Sequence, residues 1–336
     1  MLSINSLRQW LKENDFQPFR SMQIINGVFK EGKDSFQKIH TLPLNLRDQL
    51  TKKLKFLSFK VKKSESSEAG NCTKIVCELE DKKKIESVLM KFKDGRKSVC
   101  VSSQVGCPLK CEFCATGKGK YIRNLSAEEI TDQALHFLLK ESDKITNIVF
   151  MGMGEPFLNY ENTIEAADIF NDAAMFNIAA RNITFSTAGI VPGIKKLANL
   201  KKQYNLAISL HAADQELREK IMPVAKMYHL DELMESAKDY LKKTHRRITY
   251  EYIMLKDIND SDQHAKQLVN LIKGQLCHIN LIPFNAHNGS KYSGTSPLNI
   301  KKFKNILEIH KIPVTIRVSL GADISGACGQ LVKKNN

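Results

Sequence analysis

Cys107-Pro-Leu-Lys-Cys111-Glu-Phe-Cys114 places three cysteines at C-x3-C-x2-C within eight residues. Three thiolates at this spacing can hold three irons of a cubic 4Fe-4S cluster, which a fourth protein thiolate would normally complete. No fourth cysteine follows nearby, so one iron is left for a ligand from outside the chain. A structural zinc site would pair C-x2-C with a second such pair or with histidines, and no partner pair follows Cys114. A disulfide framework does not suit a chain of 336 residues whose start, Met-Leu-Ser-Ile-Asn-Ser-Leu-Arg-Gln, carries no apolar signal segment.

Outward from this stretch the pattern alternates. Strand candidates fall at 97–103, 146–151, 182–186, 205–210, 247–254, 277–282 and 313–318, with helical segments between them. One helix opens on a capping box, Ser126-Ala-Glu-Glu129, and continues with Ile130, Ala134, Phe137 and Leu138 on one face. Another spans 230–243, with Leu230, Leu233, Met234, Ala237 and Leu241. Repeated βα units imply an α/β fold around a parallel sheet, open or curled into a barrel. In a βα barrel the chemistry sits at the C-terminal ends of the strands. The unusual residues do follow the strand candidates: the cysteines, then Gly152-Met-Gly-Glu-Pro156, Ser186-Thr-Ala-Gly189, Ser209-Leu-His211 and Pro283-Phe-Asn285.

Each of these has an ordinary reading as well. The glycine stretch matches a dinucleotide fingerprint only in part, because Phe157 takes the third glycine position. It serves as a plain turn or as a place where a ligand approaches the backbone, with Glu155 accepting from an ammonium. Ser186 suits a helix cap, His211 a strand end and Asn285 a turn. Cys328 is more unusual. It lies in Gly326-Ala-Cys-Gly-Gln330 among small residues, where a buried structural thiol would sit among larger apolar ones. Cys100, seven residues before Cys107, can face the barrel mouth or serve as a core thiol. Cys72, Cys77 and Cys277 lie in strand-like runs without an evident role.

Upstream of the alternating region the chain reads differently. Residues 1–55 are helical in pattern. Ser3 is a candidate cap for Leu7, Trp10 and Leu11. Ile24, Ile25, Val28 and Phe29 mark a second helix. Phe36, Ile39, Leu42, Leu44 and Leu46 mark a third around Pro43. Residues 56–95 hold short β-prone runs, and a boundary falls near residue 93. With 42% hydrophobic residues the chain can bury a large core, and no apolar run approaches a membrane span of about 20 residues. Net charge is +15, of which residues 1–63 carry +8, an imbalance that fits a polyanionic partner or a solvated lysine-rich surface. Eight cysteines without an export signal point to a reducing cytoplasm.

Taken together, the motifs resemble one family, the radical-SAM RNA adenosine methyltransferases. It includes enzymes acting on carbon 2 and antibiotic-resistance enzymes acting on carbon 8. The resemblance rests on Cys100-Val-Ser-Ser-Gln-Val-Gly-Cys107, the cysteine motif, Gly152-Met-Gly-Glu-Pro-Phe-Leu-Asn159, Ser186-Thr-Ala-Gly, Ala207-Ile-Ser-Leu-His211, Ile221-Met-Pro, Asn280-Leu-Ile-Pro-Phe-Asn285 and Ala327-Cys-Gly-Gln-Leu331. It covers nearly the whole chain. It implies a partial (βα)6 barrel over 94–336, holding the C-terminal cysteine loop. Residues 1–93 would form a small, mainly helical RNA-binding accessory domain with a short β linker region.

The resemblance also implies roles. Cys107, Cys111 and Cys114 would hold the 4Fe-4S cluster. Gly154, Glu155, Ser186, Ser209, Leu210, His211 and Asn285 would contact S-adenosylmethionine (SAM). Cys328 would carry the methyl group, Cys100 would resolve a covalent protein–RNA adduct by forming a disulfide with Cys328, and Glu86 would remove the ring proton. Two SAM molecules would be used per turnover, one as methyl donor and one as radical source. The implied substrates are 23S rRNA and tRNA, with an electron donor such as flavodoxin, for a monomeric cytoplasmic enzyme. Pro156 after Gly-Met-Gly-Glu looks like the carbon-2 branch. Arg317-Val-Ser-Leu-Gly lacks that branch's Arg-Lys-Thr-Arg-Gly run, Ser325-Gly326 replaces its usual Asp-Ala, and the loop at 286–297 is atypical. The alternatives are carbon-8 methylation and, in another class, a non-enzymatic metal- and RNA-binding protein.

Overall fold

The computed structural model describes residues 4–141, 144–287 and 289–331. Two helices open it, α1 (Ile4–Glu13) and α2 (Arg20–Phe29). Leu7, Leu11, Ile24, Ile25 and Val28 recur at helical spacing and are all buried. Ser3, the expected cap, lies outside the described residues. The third helix expected around Pro43 is split. Phe36–Lys38 form a single 3-10 turn, and α3 (Leu44–Lys53) starts directly after Pro43. Proline has no N–H and pushes its predecessor out of the helical region, so a helix can begin there but not run through. Phe36, Ile39, Leu42 and Leu46 are buried as expected, while Leu44 faces solvent.

Next comes an antiparallel meander of β1 (Phe59–Ser66), β2 (Cys72–Leu79) and β3 (Lys84–Lys91). The chain then runs through β4 (Lys97–Cys100), β5 (Gln104–Val105), α4 (Ala115–Lys118), β6 (Arg123–Asn124), α5 (Ala127–Lys140), β7 (Asn147–Phe150), α6 (Tyr160–Asn171) and β8 (Ile183–Thr187). It continues through α7 (Val191–Asn199), β9 (Asn205–Ser209), α8 (Gln215–Ile221), α9 (Leu230–Thr244), β10 (Ile248–Met254), α10 (Asp262–Ile272), β11 (Cys277–Pro283), α11 (Pro297–Ile309) and β12 (Val314–Ile316). Ten strands form one sheet in the order β1-β2-β3-β4-β7-β8-β9-β10-β11-β12, parallel from β4 onward. This is the expected α/β architecture of successive βα units. β5 and β6 form a separate two-stranded ribbon beside the cysteine loop.

The sheet runs without a break through the expected division near residue 93. Val88 pairs with Cys100 and Met90 with Ser98, so β3 is hydrogen-bonded to the first parallel strand. Residues 59–91 are therefore the antiparallel edge of the barrel's own sheet rather than a linker. The outermost strand, β1, carries Lys60, Lys62 and Lys63 and a register shift between Val61 and Lys63. Charge and irregularity of this kind keep a sheet edge from pairing with other chains.

Local signals explain the helix starts. Ser126 and Glu129 form the expected reciprocal cap of α5, and Asp214 caps α8 by accepting from the Leu217 amide. Beneath β7 and β8, Phe150 and Phe185 stack at 4.7 Å, with Tyr204 edge-on to Phe185 at 5.5 Å. Each ring so buried contributes about 1.5–3 kcal/mol, and each favourable ring pair about 0.5–1.5 kcal/mol more. This packing sets the strand ends that form the site. Among the described residues, no helix is long and apolar enough to cross a membrane.

Candidate active site

The cysteine loop is shaped by its backbone. Gly106 enters it at a φ of +80°, where a side chain would run into the Lys120 carbonyl. The Cys114 amide donates to the Cys111 carbonyl at 3.2 Å, and the Glu112 amide to Ile221 O at the end of α8 at 3.0 Å. Cys107, Cys111 and Cys114 all line one cavity of about 150 Å³. Burial pushes all three thiols up, Cys107 to about 12. Among the described residues, no three His, Cys, Asp or Glu side chains converge on one metal-ion position. A cubic cluster does not require that, because each thiolate takes a separate iron. The cationic irons also supply the charge that desolvated thiolates need. The donor set therefore fits the cluster.

Strand ends build the rest of this cavity. Gly154 follows β7 with a φ of +103°, and a Cβ there would lie 2.6 Å from Gln104 Cβ and 2.8 Å from its backbone nitrogen. Only glycine suits both the conformation and the contact. Glu155 is 3% exposed. Its carboxylate accepts from the Ala188 amide at 2.7 Å and the Phe157 amide at 3.1 Å. Burial nonetheless raises its pKa to about 7, against these hydrogen bonds. Ser186 and Ser209, at the ends of β8 and β9, line the same wall. His211 sits edge-on to Phe113 with ring centres 4.7 Å apart, and its Nδ1 accepts from the Ile253 amide at 3.0 Å. Burial, together with the Arg218 charge, lowers its pKa to about 3, so the ring is neutral with its proton on Nε2. Leu210 is fully buried behind this wall and does not line the cavity.

A smaller cavity of about 30 Å³ adjoins it, lined by Cys100, Asn285 and Cys328. Met151, Ile282, Arg317 and Cys328 border both cavities. Cys328 reaches this place because its loop is pinned on three sides. The Ala115 amide donates to Gly329 O at 2.8 Å, Thr116 Oγ1 to Leu331 O at 2.6 Å, and Gln330 Nε2 to Ala286 O at 2.8 Å. Asn285 Nδ2 donates to the Cys328 carbonyl itself at 3.2 Å. Burial pushes the Cys100 thiol up to about 12, aided by Cys328 and opposed by Arg317. Arg317 is held further above its usual range by the Cys328 and Glu251 charges.

Glu86 stands apart. It shares a sheet face with Cys100, being two residues from Val88, the partner of Cys100 across β3 and β4. It lines neither cavity. It is 5% exposed and lies 3.6 Å from the buried Lys74 ammonium, which also contacts Ser325 O at 3.4 Å in the Cys328 loop.

Three residues of the site escape sequence reasoning. Glu251 lies in β10, accepts from Asn280 Nδ2 at 2.9 Å and faces Arg317 at 3.7 Å. A lone carboxylate within Tyr250-Glu-Tyr-Ile was its only signal. Arg317 shows in the sequence merely as the head of an atypical run. Arg218, in Gln215-Glu-Leu-Arg-Glu-Lys-Ile221, looks like any exposed helix charge yet is fully buried. A larger cavity of about 460 Å³ lies between α3 and the β1–β2 edge. Its lining includes the Lys55–Glu80 ion pair but no cysteine or histidine, and it is remote from this chemistry.

Known proteins of similar sequence and fold point to one family. Residues 101–269 match the model of the radical SAM superfamily. The chain is 41% identical, over 98% of its length and 96% of the relative's, to a probable dual-specificity RNA methyltransferase RlmN of Clostridium novyi (strain NT). It is 44% identical to the protein of the same description in Alkaliphilus oremlandii (strain OhILAs), covering 99% of this chain and 97% of that one. The crystal structure of a radical SAM methyltransferase from Sphaerobacter thermophilus superposes with a TM-score of 0.95 at 38% identity, over 98% of this chain and 97% of that one.

Proposed function

Since the chain belongs to the radical SAM superfamily and, within it, to the dual-specificity RNA methyltransferases, we propose that it methylates carbon 2 of an adenosine in 23S rRNA and in tRNA. The observation that carries this reading is the meeting of Cys100 and Cys328 in one small cavity beside the three-cysteine loop. Bound at Cys107, Cys111 and Cys114, a 4Fe-4S cluster together with SAM, two molecules per turnover, supplies methyl groups and one-electron chemistry. Glu155, Gly154, Ser186, Ser209 and His211 hold SAM, with the Glu155 carboxylate suited to an ammonium and neutral His211 offering its Nε2–H. Leu210 shapes that wall from behind, and Asn285 orients the Cys328 backbone.

Carbon 2 of adenine is an electrophilic amidine carbon, so it does not attack a sulfonium methyl directly. A thiol does, and Cys328 takes the methyl as a carrier. Joining the carrier's carbon to the ring removes one hydrogen atom from the S-methyl group and a proton and an electron from the ring; Glu86 accepts the proton, and the hydrogen atom and the electron would pass to the one-electron chemistry that the cluster and SAM supply. The Cys100 thiolate then attacks Cys328 Sγ. The S–S bond forms as the carbon–sulfur bond breaks, and the electron pair passes to the methylene carbon, which takes a proton to become the new methyl group. Of the division expected at residue 93, the helical residues 1–55 serve RNA recognition, supported by the net +8 of residues 1–63, while β1–β3, which carry Glu86, work with the catalytic sheet of 94–336. A flavodoxin-type donor supplies electrons to a monomeric, cytoplasmic enzyme.

The test is a nucleoside analysis. The anaerobically reconstituted protein is given SAM, reductant and unmodified 23S rRNA or tRNA, and the digested RNA is read by mass spectrometry. 2-Methyladenosine is expected. 8-Methyladenosine would move the chain to the carbon-8 branch. Neither product from a cluster-loaded protein that still cleaves SAM would overturn the assignment.

A further inference from the structure

Arg218 is the only arginine among the described residues that is fully buried, at 0% exposure. It stands on α8, whose last residue, Ile221, receives the Glu112 amide of the cysteine loop, and Met222 after it lines the cavity. Its Nη2 donates to Ala188 O at 2.7 Å and to Ser209 O at 3.4 Å, and its Nε to Leu210 O at 3.2 Å. These carbonyls belong to the ends of β8 and β9, where the side chains of Ser186, Ala188, Ser209 and His211 form the cavity wall. All three acceptors are neutral, and no acid among the described residues pairs with the charge. The remaining nitrogen, Nη1, is buried and has no hydrogen-bond partner among the described residues. Burial alone pulls the guanidinium down, to about 10, and the Cys111 thiol is the group whose charge opposes that. The cation that lines the cavity, Arg317, lies 3.7 Å from Glu251 and is held up by the Cys328 and Glu251 charges, whereas Arg218 is buried behind the wall.

An uncancelled cation is costly to bury unless a negative group shares its surroundings. Nothing in the hydrogen-bond pattern of Arg218 accounts for a full charge at this depth. A three-thiolate cluster does, since it is anionic and gains one more negative charge on reduction. We propose that Arg218 is a positioning residue that acts as the counter-charge of the cluster, favouring its reduced state while tying together the β8 and β9 ends that receive SAM. The inference rests on the cluster and not on which carbon of adenine is methylated. The electron comes from an external low-potential donor, and Arg218 changes only the equilibrium of that one-electron step. In a poorly polarisable interior such a charge acts strongly on a neighbouring redox centre.

Midpoint potentials of the anaerobically reconstituted protein, Arg218→Gln and Arg218→Lys decide it. They are measured without SAM by titration with dithionite and mediators and read by electron paramagnetic resonance. Glutamine keeps a donor for the carbonyls but removes the charge, whereas lysine keeps the charge. The glutamine variant is expected to hold about tenfold less reduced cluster at a fixed potential, a downward shift of about 59 mV for one electron, with lysine staying near the unaltered chain. A fully loaded glutamine variant at the unaltered potential overturns the proposal, as does a lysine variant shifted equally far. Should the glutamine variant fail to load, iron uptake by the lysine variant alone supports the charge role, and failure of both overturns it. An unaltered chain that takes up no iron would remove the cluster itself, and the proposal with it.

Discussion

The two cysteine groups of this molecule are assembled in opposite ways. Cys107, Cys111 and Cys114 are gathered by one loop, whose shape comes from Gly106 and the Cys111–Cys114 turn, with anchors on Ile221, His287 and Lys291. Cys100 and Cys328 are brought together only by tertiary structure. One lies in the first parallel strand. The other lies on a loop strapped to Ala115, Thr116, Asn285 and Ala286. The first group is a property of local chain geometry, and the second of the finished fold. Damage to the loop should therefore remove a component, while damage to the pair should stop a sequence of events part-way.

The largest effect expected is from Cys111→Ala, which leaves two thiolates for the cluster. Iron content, SAM cleavage and methylation should all collapse, with activity down by at least about a thousandfold on the scale of removed catalytic groups. Retention of SAM cleavage would show that the loop is not the cluster site. Cys328→Ala should abolish methylation just as fully while iron content and SAM cleavage survive, and this contrast separates the two groups most sharply. Cys100→Ala should halt after the carbon–carbon bond, leaving RNA attached to the protein as a slow band on a denaturing gel. Free, fully methylated RNA from that variant would rule out the resolving role.

Gly154→Ala tests the wall that the loop and the pair share. A side chain at a φ of +103° against Gln104 should cost about 1–3 kcal/mol. Thermal unfolding and SAM affinity should both fall, and an unchanged melting temperature would mean that the Gln104 contact yields freely. The smallest effect belongs to Asn285→Ala. Losing one hydrogen bond to the Cys328 carbonyl removes about 0.5–1.5 kcal/mol. Methylation of the Cys328 thiol should slow severalfold, at unchanged iron content, in a single-turnover mass measurement. An unaltered rate would leave the other straps sufficient.

The same contrast decides what the sequence reveals. The three-cysteine loop is readable because its chemistry is local, as are the Ser126–Glu129 cap and the apolar parallel strands, each found within a few residues. The meeting of Cys100 and Cys328 is readable only through family resemblance, since no spacing rule links a strand residue to a distant loop. Arg218, Glu251 and Arg317 stay hidden because a charged residue in a sequence reads as exposed until its neighbours in space are known. The continuity of β3 with β4 is hidden for a related reason. Short β-prone runs do not declare their partners, so a composition change near residue 93 looks like a border where the sheet has none.

The strap that carries Cys328 also imposes an order on biogenesis. Gly329 and Leu331 leave the ribosome after every parallel strand of the barrel, and they close against Ala115 and Thr116, immediately beside Cys114. Until that late segment docks, the cysteine loop lacks its cover and is open to the machinery that delivers iron and sulfide. Since that cover is a loop held by hydrogen bonds and not a strand of the sheet, opening it uncovers the cysteines without unpairing the barrel.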